Sequence, residues 1–285
     1  MNKKTTIFLW IFSLIITLTI AVYQRRTGPT YPVKGTERVG EAVVKYRLLR
    51  SYTEFEKVPV AIHVTDKDVA AQLMYRRFNA GDPWTVVDMA RNGEVLEGSI
   101  PGQPRAGKVE YSVQLKKGND SVTLNGGRAL VLRFKGAVPT FVLIIHVLFM
   151  FVSIWLAIRT GLEALRKNPK YDKLVNWTLG TVFIGGMILG PVVQKFAFSD
   201  FWTGFPFGTD LTDNKTLLAV IFWVVAYFLK KQSKWWVVAA AVMMIAVYLI
   251  PHSVMGSELD YKTGQMKNKY SVETIRQLPE KPFVS

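Results

Sequence analysis

The 285-residue chain contains no cysteine. That excludes disulfides, thiolate metal sites, thiol redox chemistry and c-type attachment of haem to this chain, and leaves the redox state of its compartment open. Histidine is nearly as scarce, with three residues: His63, His146 and His252. Charge is missing from five long stretches, at residues 5–23, 137–158, 174–194, 216–229 and 235–257. A helix rises about 1.5 Å per residue, so roughly 20 apolar residues cross about 30 Å of hydrocarbon. Four stretches reach that length. The stretch at 216–229 falls short and must borrow from 211–215, which sets the preceding loop at or just below the outer surface, covered by protein rather than lipid.

Positive charge is in excess, with 36 Lys and Arg against 21 Asp and Glu. Lys3 and Lys4 precede the first stretch. Arg159, Arg166, Lys167, Lys170 and Lys173 follow the second, and Lys230, Lys231 and Lys234 follow the fourth. Short basic connections stay in the cytoplasm. All three agree on an amino terminus inside and a carboxyl terminus outside a bacterial inner membrane, with Arg25 and Arg26 against the trend. Topology thus accounts for much of the charge, which argues against a nucleic-acid partner. The first stretch reads as an uncleaved anchor over 1–24. Its apolar core is long, and Val22, Tyr23 and Gln24 do not make a small-residue cleavage site.

Between residues 30 and 136 the composition changes. Short β-type runs at 42–49, 58–65, 70–78, 84–89, 94–100, 108–115, 121–124 and 129–134 alternate with Gly, Pro, Asn and Asp clusters. Strands at this spacing predict an antiparallel β-sandwich. His63 alternates with Val60, Ile62 and Val64, so it falls on the solvent face of its strand. No acid pair, nucleophile–base set or phosphate loop is visible there, and the domain is expected to bind, space or dock. The predicted fold is a membrane α-helical bundle of five spans with an inserted extracytoplasmic antiparallel β-sandwich. Its parts are the anchor at 1–24, the sandwich at 30–136, a four-helix transmembrane core at 137–257 and an external tail at 258–285.

An ionisable side chain inside a bilayer is costly and points to function. In the predicted topology the second helix runs inward, placing His146 roughly 13 Å along its axis. The fifth runs outward and ends near Pro251, beside His252. Both histidines then lie in the outer half, where they would either clamp one metal or haem iron or serve separately, His146 bonding a neighbouring helix and His252 sitting at the headgroups. Between them runs F-W-T-G-F-P-F-G-T-D-L-T-D-N-K at 201–215. Trp202, Phe205 and Phe207 supply flat apolar faces, and Gly204 and Gly208 allow close approach. Asp200, Asp210, Asp213 and Lys215 add charge beside a span that is too short.

Several segments carry a family resemblance. They are V-L-I-I-H-V-L-F-M-F-V-S at 142–153, L-G-T-V-F-I-G-G-M-I-L-G-P-V at 179–192, D-N-K-T-L-L-A-V-I-F-W at 213–223, and H-S at 252–253. In order and spacing, residues 139–260 resemble the haem-handling WWD-domain membrane proteins of cytochrome c maturation. Thr212 precedes the aspartate, Asn214 replaces a proline and Leu218 stands where a tryptophan is expected, so the likeness carries haem binding further than transfer. It implies haem b held by His146 and His252, with Trp202, Phe205, Phe207 and Trp223 as aromatic neighbours. Asp210 or Asp213 would orient an imidazole, and Lys215 would pair with a propionate. Separately, L-M-Y-R at 73–76, S-I-P-G-Q-P at 99–104 and V-E-Y-S-V at 109–113 resemble fibronectin-like or immunoglobulin-like sandwiches. The functions in view are haem handling with an apocytochrome or membrane subunit as partner, electron transfer by bound haem b, or a non-catalytic assembly and docking role. No reaction is assigned.

Overall fold

The computed structural model describes residues 3–252 and 256–267. These divide into a helical unit, formed by residues 3–28, 138–252, 256–257 and 267, and a β unit, formed by residues 29–137 and 258–266. Ser253 and residues 268–285 of the expected tail lie outside the described residues.

The helical unit contains α1 (Lys3–Thr27), α2 (Thr140–Ala164), α3 (Asp172–Val182), a π-helical segment (Phe183–Leu189), α4 (Gly190–Phe198), α5 (Leu211–Leu229) and α6 (Trp235–Leu249). Among the described residues four helices are long and apolar enough to cross a membrane: α1, α2, the continuous helix Asp172–Phe198, and α5. The chain is therefore a membrane protein with a helical part and a β region. α5 starts at Leu211, taking in the residues that the apolar stretch lacked. α6 is shorter than the stretch from which it was expected. Its end follows from Pro251, because the residue before a proline is pushed out of the helical region, and Ile250 has φ −74°, ψ 116°.

Small residues bring the helices together. Trp223 is fully buried beside Ala157, Ala219, Ala226, Ala240, Ala241 and Met244 in the main core of the bundle. A Cβ added at Gly161 of α2 would lie 2.6 Å from the Ala241 Cβ of α6, so only glycine permits this approach. At the other side Trp155 donates to the Ser13 hydroxyl of α1 at 3.1 Å, and Gln24 donates to the Tyr248 carbonyl at 3.0 Å.

Arg159 does not lie in a cytoplasmic connection, as the sequence suggests, but in α2, which continues to Ala164. Its guanidinium donates to Glu163 at 2.8 Å one turn later, and Trp10 lies beneath it with 5.3 Å from Cζ to the ring centroid. The i, i+4 pair neutralises a charge that would otherwise stop the helix, and Arg166 and the Lys170 amide also reach Glu163.

Among the described residues the β unit holds eleven strands: β1 (Val33–Val39), β2 (Ala42–Leu48), β3 (Ser51–Thr53), β4 (Val58–His63), β5 (Ala70–Arg77), β6 (Thr85–Asp88), β7 (Ala90–Asn92), β8 (Val95–Ile100), β9 (Lys108–Lys117), β10 (Asp120–Thr123) and β11 (Leu130–Lys135). β1 and β2 form a ribbon. One sheet runs β3-β11-β9-β5-β6, with β10 also on β9, and a second runs β4-β8-β7. Pairing is antiparallel except between β3 and β11, which run parallel. Val60 and Ile62 of β4, Leu73 of β5, Leu96 of β8, Val113 of β9 and Leu132 of β11 share one buried core. His63 faces solvent with Glu94 at 3.3 Å.

Residues after the bundle return to this unit. Glu258 pairs with Lys108 at 2.7 Å, the Leu259 amide donates to the Ala106 carbonyl, and Leu259 bridges Met266. The Tyr261 phenol donates to the Lys108 carbonyl at 2.8 Å and accepts from its amide at 2.9 Å. Burial pushes this phenol up to about 12 from 10.0, against the lowering effect of the bond to Lys108. A group whose folded pKa is raised contributes stability that is present below the unfolded value and is lost as pH rises through the folded one. Amide-exchange protection of residues 258–266 is therefore expected to fall between pH 10 and about 12, and to be reduced already at neutral pH in Tyr261→Phe. Gly161→Leu is expected to lower stability by about 1–3 kcal/mol, read as the thermal midpoint in detergent.

Candidate functional site at one end of the helical bundle

On α2, Ile145, Val147 and Leu148 are exposed, whereas Val142 and Ser153 are buried and His146 is half-buried. The helical period therefore sets His146 on the stripe that faces the other helices. Its Nδ1 lies 3.0 Å from the Gly185 carbonyl. A carbonyl only accepts, so Nδ1 carries the proton, and in the neutral ring Nε2 holds the lone pair.

That carbonyl is offered by the π segment. Pro191 follows it in the first turn of α4, cannot donate a backbone bond, and crowds the carbonyl one turn before. The helix widens there, and the Gly190 amide reaches back to Gly185. Gly185 also allows the helices to meet: an added Cβ would lie 2.8 Å from the Met150 sulfur.

Beyond α4 the loop is held by side chains rather than by regular structure. Gln194 donates to the Thr203 hydroxyl at 2.6 Å. Asp213 accepts from the Thr203 amide at 2.7 Å and from its hydroxyl at 3.3 Å, and Asn214 accepts from the Phe205 amide at 2.6 Å. Asp210 caps α5 by accepting from the Thr212 and Asp213 amides, and its other oxygen accepts from Ser257 at 3.3 Å. An added Cβ at Gly204 would meet Asp213 and Asn214, so the loop lies flat on the start of α5. Lys215 donates to the Ile250 carbonyl, just past α6, at 2.7 Å.

The residues singled out in the sequence therefore separate into groups. Asp210 and Asp213 are buried and fasten the loop and the helix start, while Lys215 reaches the stretch of backbone that leads into His252. Phe205 and Phe207 are exposed, at 65% and 52%, and Trp202 is half-buried with its indole donating to the Phe205 carbonyl. Trp223 lies in the helix core, away from solvent. His252 is exposed, beyond the end of α6. Among the described residues no three His, Cys, Asp or Glu side chains are grouped as a metal site. A bis-imidazole haem asks only two donors of the protein.

Gln194, Thr203 and Ser257 also belong to this cluster, and sequence reasoning misses them. Gln194 ends its apolar stretch, a position where a polar side chain can turn back toward a loop, but Thr203 and Ser257 carry no comparable signal. The β unit has a separate groove of about 270 Å³ lined by Tyr75, Arg76, Arg77, Asp82 and Gln103. Its charges are matched locally, Arg76 with Glu110 and Arg77 with Asp82.

No family model matches the chain, and no curated protein matches its sequence. Asp213→Ala is expected to cost about 1–3 kcal/mol by leaving the buried Thr203 amide unpaired. Asp210→Ala, which removes the α5 cap, is expected to cost about 1 kcal/mol. Thermal unfolding of the detergent-solubilised protein reads both.

Proposed function

We propose that this chain is an integral membrane haem-binding protein of the cytochrome c assembly type, with haem b held by His146 and His252. The observation that carries the proposal is the His146 ring. It faces the bundle with Nδ1–H fixed on the Gly185 carbonyl, the arrangement by which proteins orient an imidazole for metal binding through Nε2. The Lys215 contact ties the approach to His252 into the loop cluster, and Phe205 and Phe207 offer exposed aromatic faces there. Haem would supply the iron and its one-electron chemistry. The chain supplies two imidazoles and an apolar rim. Asp210, Asp213 and Lys215 serve as supports for the loop and helix ends in this reading, and Trp223 as packing.

The finer organisation belongs to the same proposal. α6 is the fifth span, the amino terminus is inside a bacterial inner membrane, and the β unit is an extracytoplasmic sandwich whose two sheets share one core. The sandwich docks an apocytochrome or a partner membrane subunit. The likeness of residues 139–260 to the WWD-domain proteins supports the assembly role.

One observation favours a second reading, an electron-transfer subunit with permanently bound haem b. The loop is locked by Gln194, Asp210, Asp213 and Asn214, which suits retention better than release. Purified protein reconstituted with haem is expected to show a b-type Soret band, diminished or shifted in His146→Ala and His252→Ala. A wild-type protein without the band, or variants that leave it unchanged, overturns the haem reading. Transfer of haem to an acceptor decides for assembly, and retention with a defined midpoint potential decides for electron transfer.

A further inference from the structure

Lys215 is a buried ammonium, 8% exposed, within a helix long and apolar enough to cross a membrane. Such a group is expensive to place and needs partners. Its Nζ donates to the Ile250 carbonyl at 2.7 Å, and Asp210 is its electrostatic neighbour. α6 ends at Leu249, so the Ile250 carbonyl lies outside the helical ladder, and Ile250 is extended. Lysine thus fastens a backbone group that the helix itself leaves over.

The two residues after Ile250 give this contact a mechanical consequence. The Ile250 carbonyl and the Pro251 nitrogen share one rigid peptide plane. The proline ring fixes the next torsion, φ, near −65°. Only ψ of Pro251 then remains soft between the carbonyl that Lys215 holds and the peptide of His252. A side chain on α5 therefore sets the position from which an imidazole beyond α6 starts. Asp210 and Asp213 direct their hydrogen bonds elsewhere, to the loop and the start of α5, at Thr203, Thr212, the Asp213 amide and Ser257.

We infer that Lys215 is a positioning residue for His252, acting through the Ile250 carbonyl and the rigid Pro251, and not a partner of the ligand's carboxylates. The inference rests on the proposed haem ligation by His252. The clamp exists before any ligand arrives, so the haem-free protein carries its signature as well.

Two measurements separate these claims. The absence of cysteine allows His252→Cys to carry a single nitroxide label on an otherwise unreactive chain. In haem-free protein, adding Lys215→Met is expected to sharpen the electron-resonance lines of that label, and adding Lys215→Arg, which keeps a donor, to leave them broad. An unchanged lineshape in Lys215→Met overturns the clamp. With His252 restored and haem added, Lys215→Met is expected to convert a six-coordinate low-spin spectrum to high-spin, with free imidazole restoring it. Haem affinity should fall about 10-fold, the lower end of the cost of losing a group that orients a metal ligand.

If haem binds Lys215→Met more weakly while the spectrum stays six-coordinate, Lys215 contacts the propionates and the positioning role is overturned. A mobilised label with unaltered haem ligation overturns the ligand-positioning role while leaving the haem reading intact. A wild-type protein that takes up no haem overturns the binding reading, and the ligand role with it. Should Lys215→Met not accumulate in membranes, Lys215→Leu, which likewise has no donor, is judged by the same outcomes.

Discussion

Backbone polar groups that regular structure leaves over and that are shielded from solvent must find partners within the protein, and this requirement shapes the whole end of the bundle that carries the candidate site. Helices satisfy themselves along their length but leave donors at their starts and acceptors at their ends. Here Asp210 takes up the first amides of α5, Asp213 and Asn214 take amides of the irregular loop, and Lys215 takes a carbonyl just beyond α6. The π segment applies the same rule differently. It presents the Gly185 carbonyl to both a backbone amide and an imidazole. Polar residues that look like chemistry in a linear sequence are in large part the means by which this end closes.

The same requirement explains which features are legible in the sequence. Charge-free stretches fix helices because hydrocarbon tolerates little else, and the expected runs lie close to α1, α2, Asp172–Phe198 and α5. Alternation and turn residues locate most of the strands, from β2 to β11. The short pieces β3 and β7, like β1, escape that reading; β3 and β7 have only three residues each, too few for a period to emerge. β3 also pairs parallel with β11, which local pattern does not encode because the two strands are far apart in sequence. Arg159 reads as a loop residue because a charge ordinarily ends an apolar run, whereas its partner one turn later keeps it helical and buried.

The candidate site is legible in part. His146 stands out by rarity, and the helical stripe gives its direction. Its hydrogen bond is not readable, since it depends on a bulge created by Pro191 and on close approach at Gly185. Lys215 is conspicuous as a charge next to an apolar stretch of sequence. Its partner is a main-chain atom, which no side-chain pattern can name. Thr203 and Ser257 contribute hydroxyl hydrogen bonds that no sequence pattern marks.

The segment Glu258–Met266 bears on how the protein is made. It contributes a carboxylate, a phenol and a bridge to the β unit, yet it comes after α6 in the chain. A ribosome therefore delivers the eleven strands well before it delivers the last piece of their own unit. The Lys108–Glu258 pair cannot close until α1 to α6 have been synthesised and the chain has come back. Completion of the β unit thus reports that translation has passed α6, and a chain truncated within these helices leaves that unit without the Lys108–Glu258 fastening.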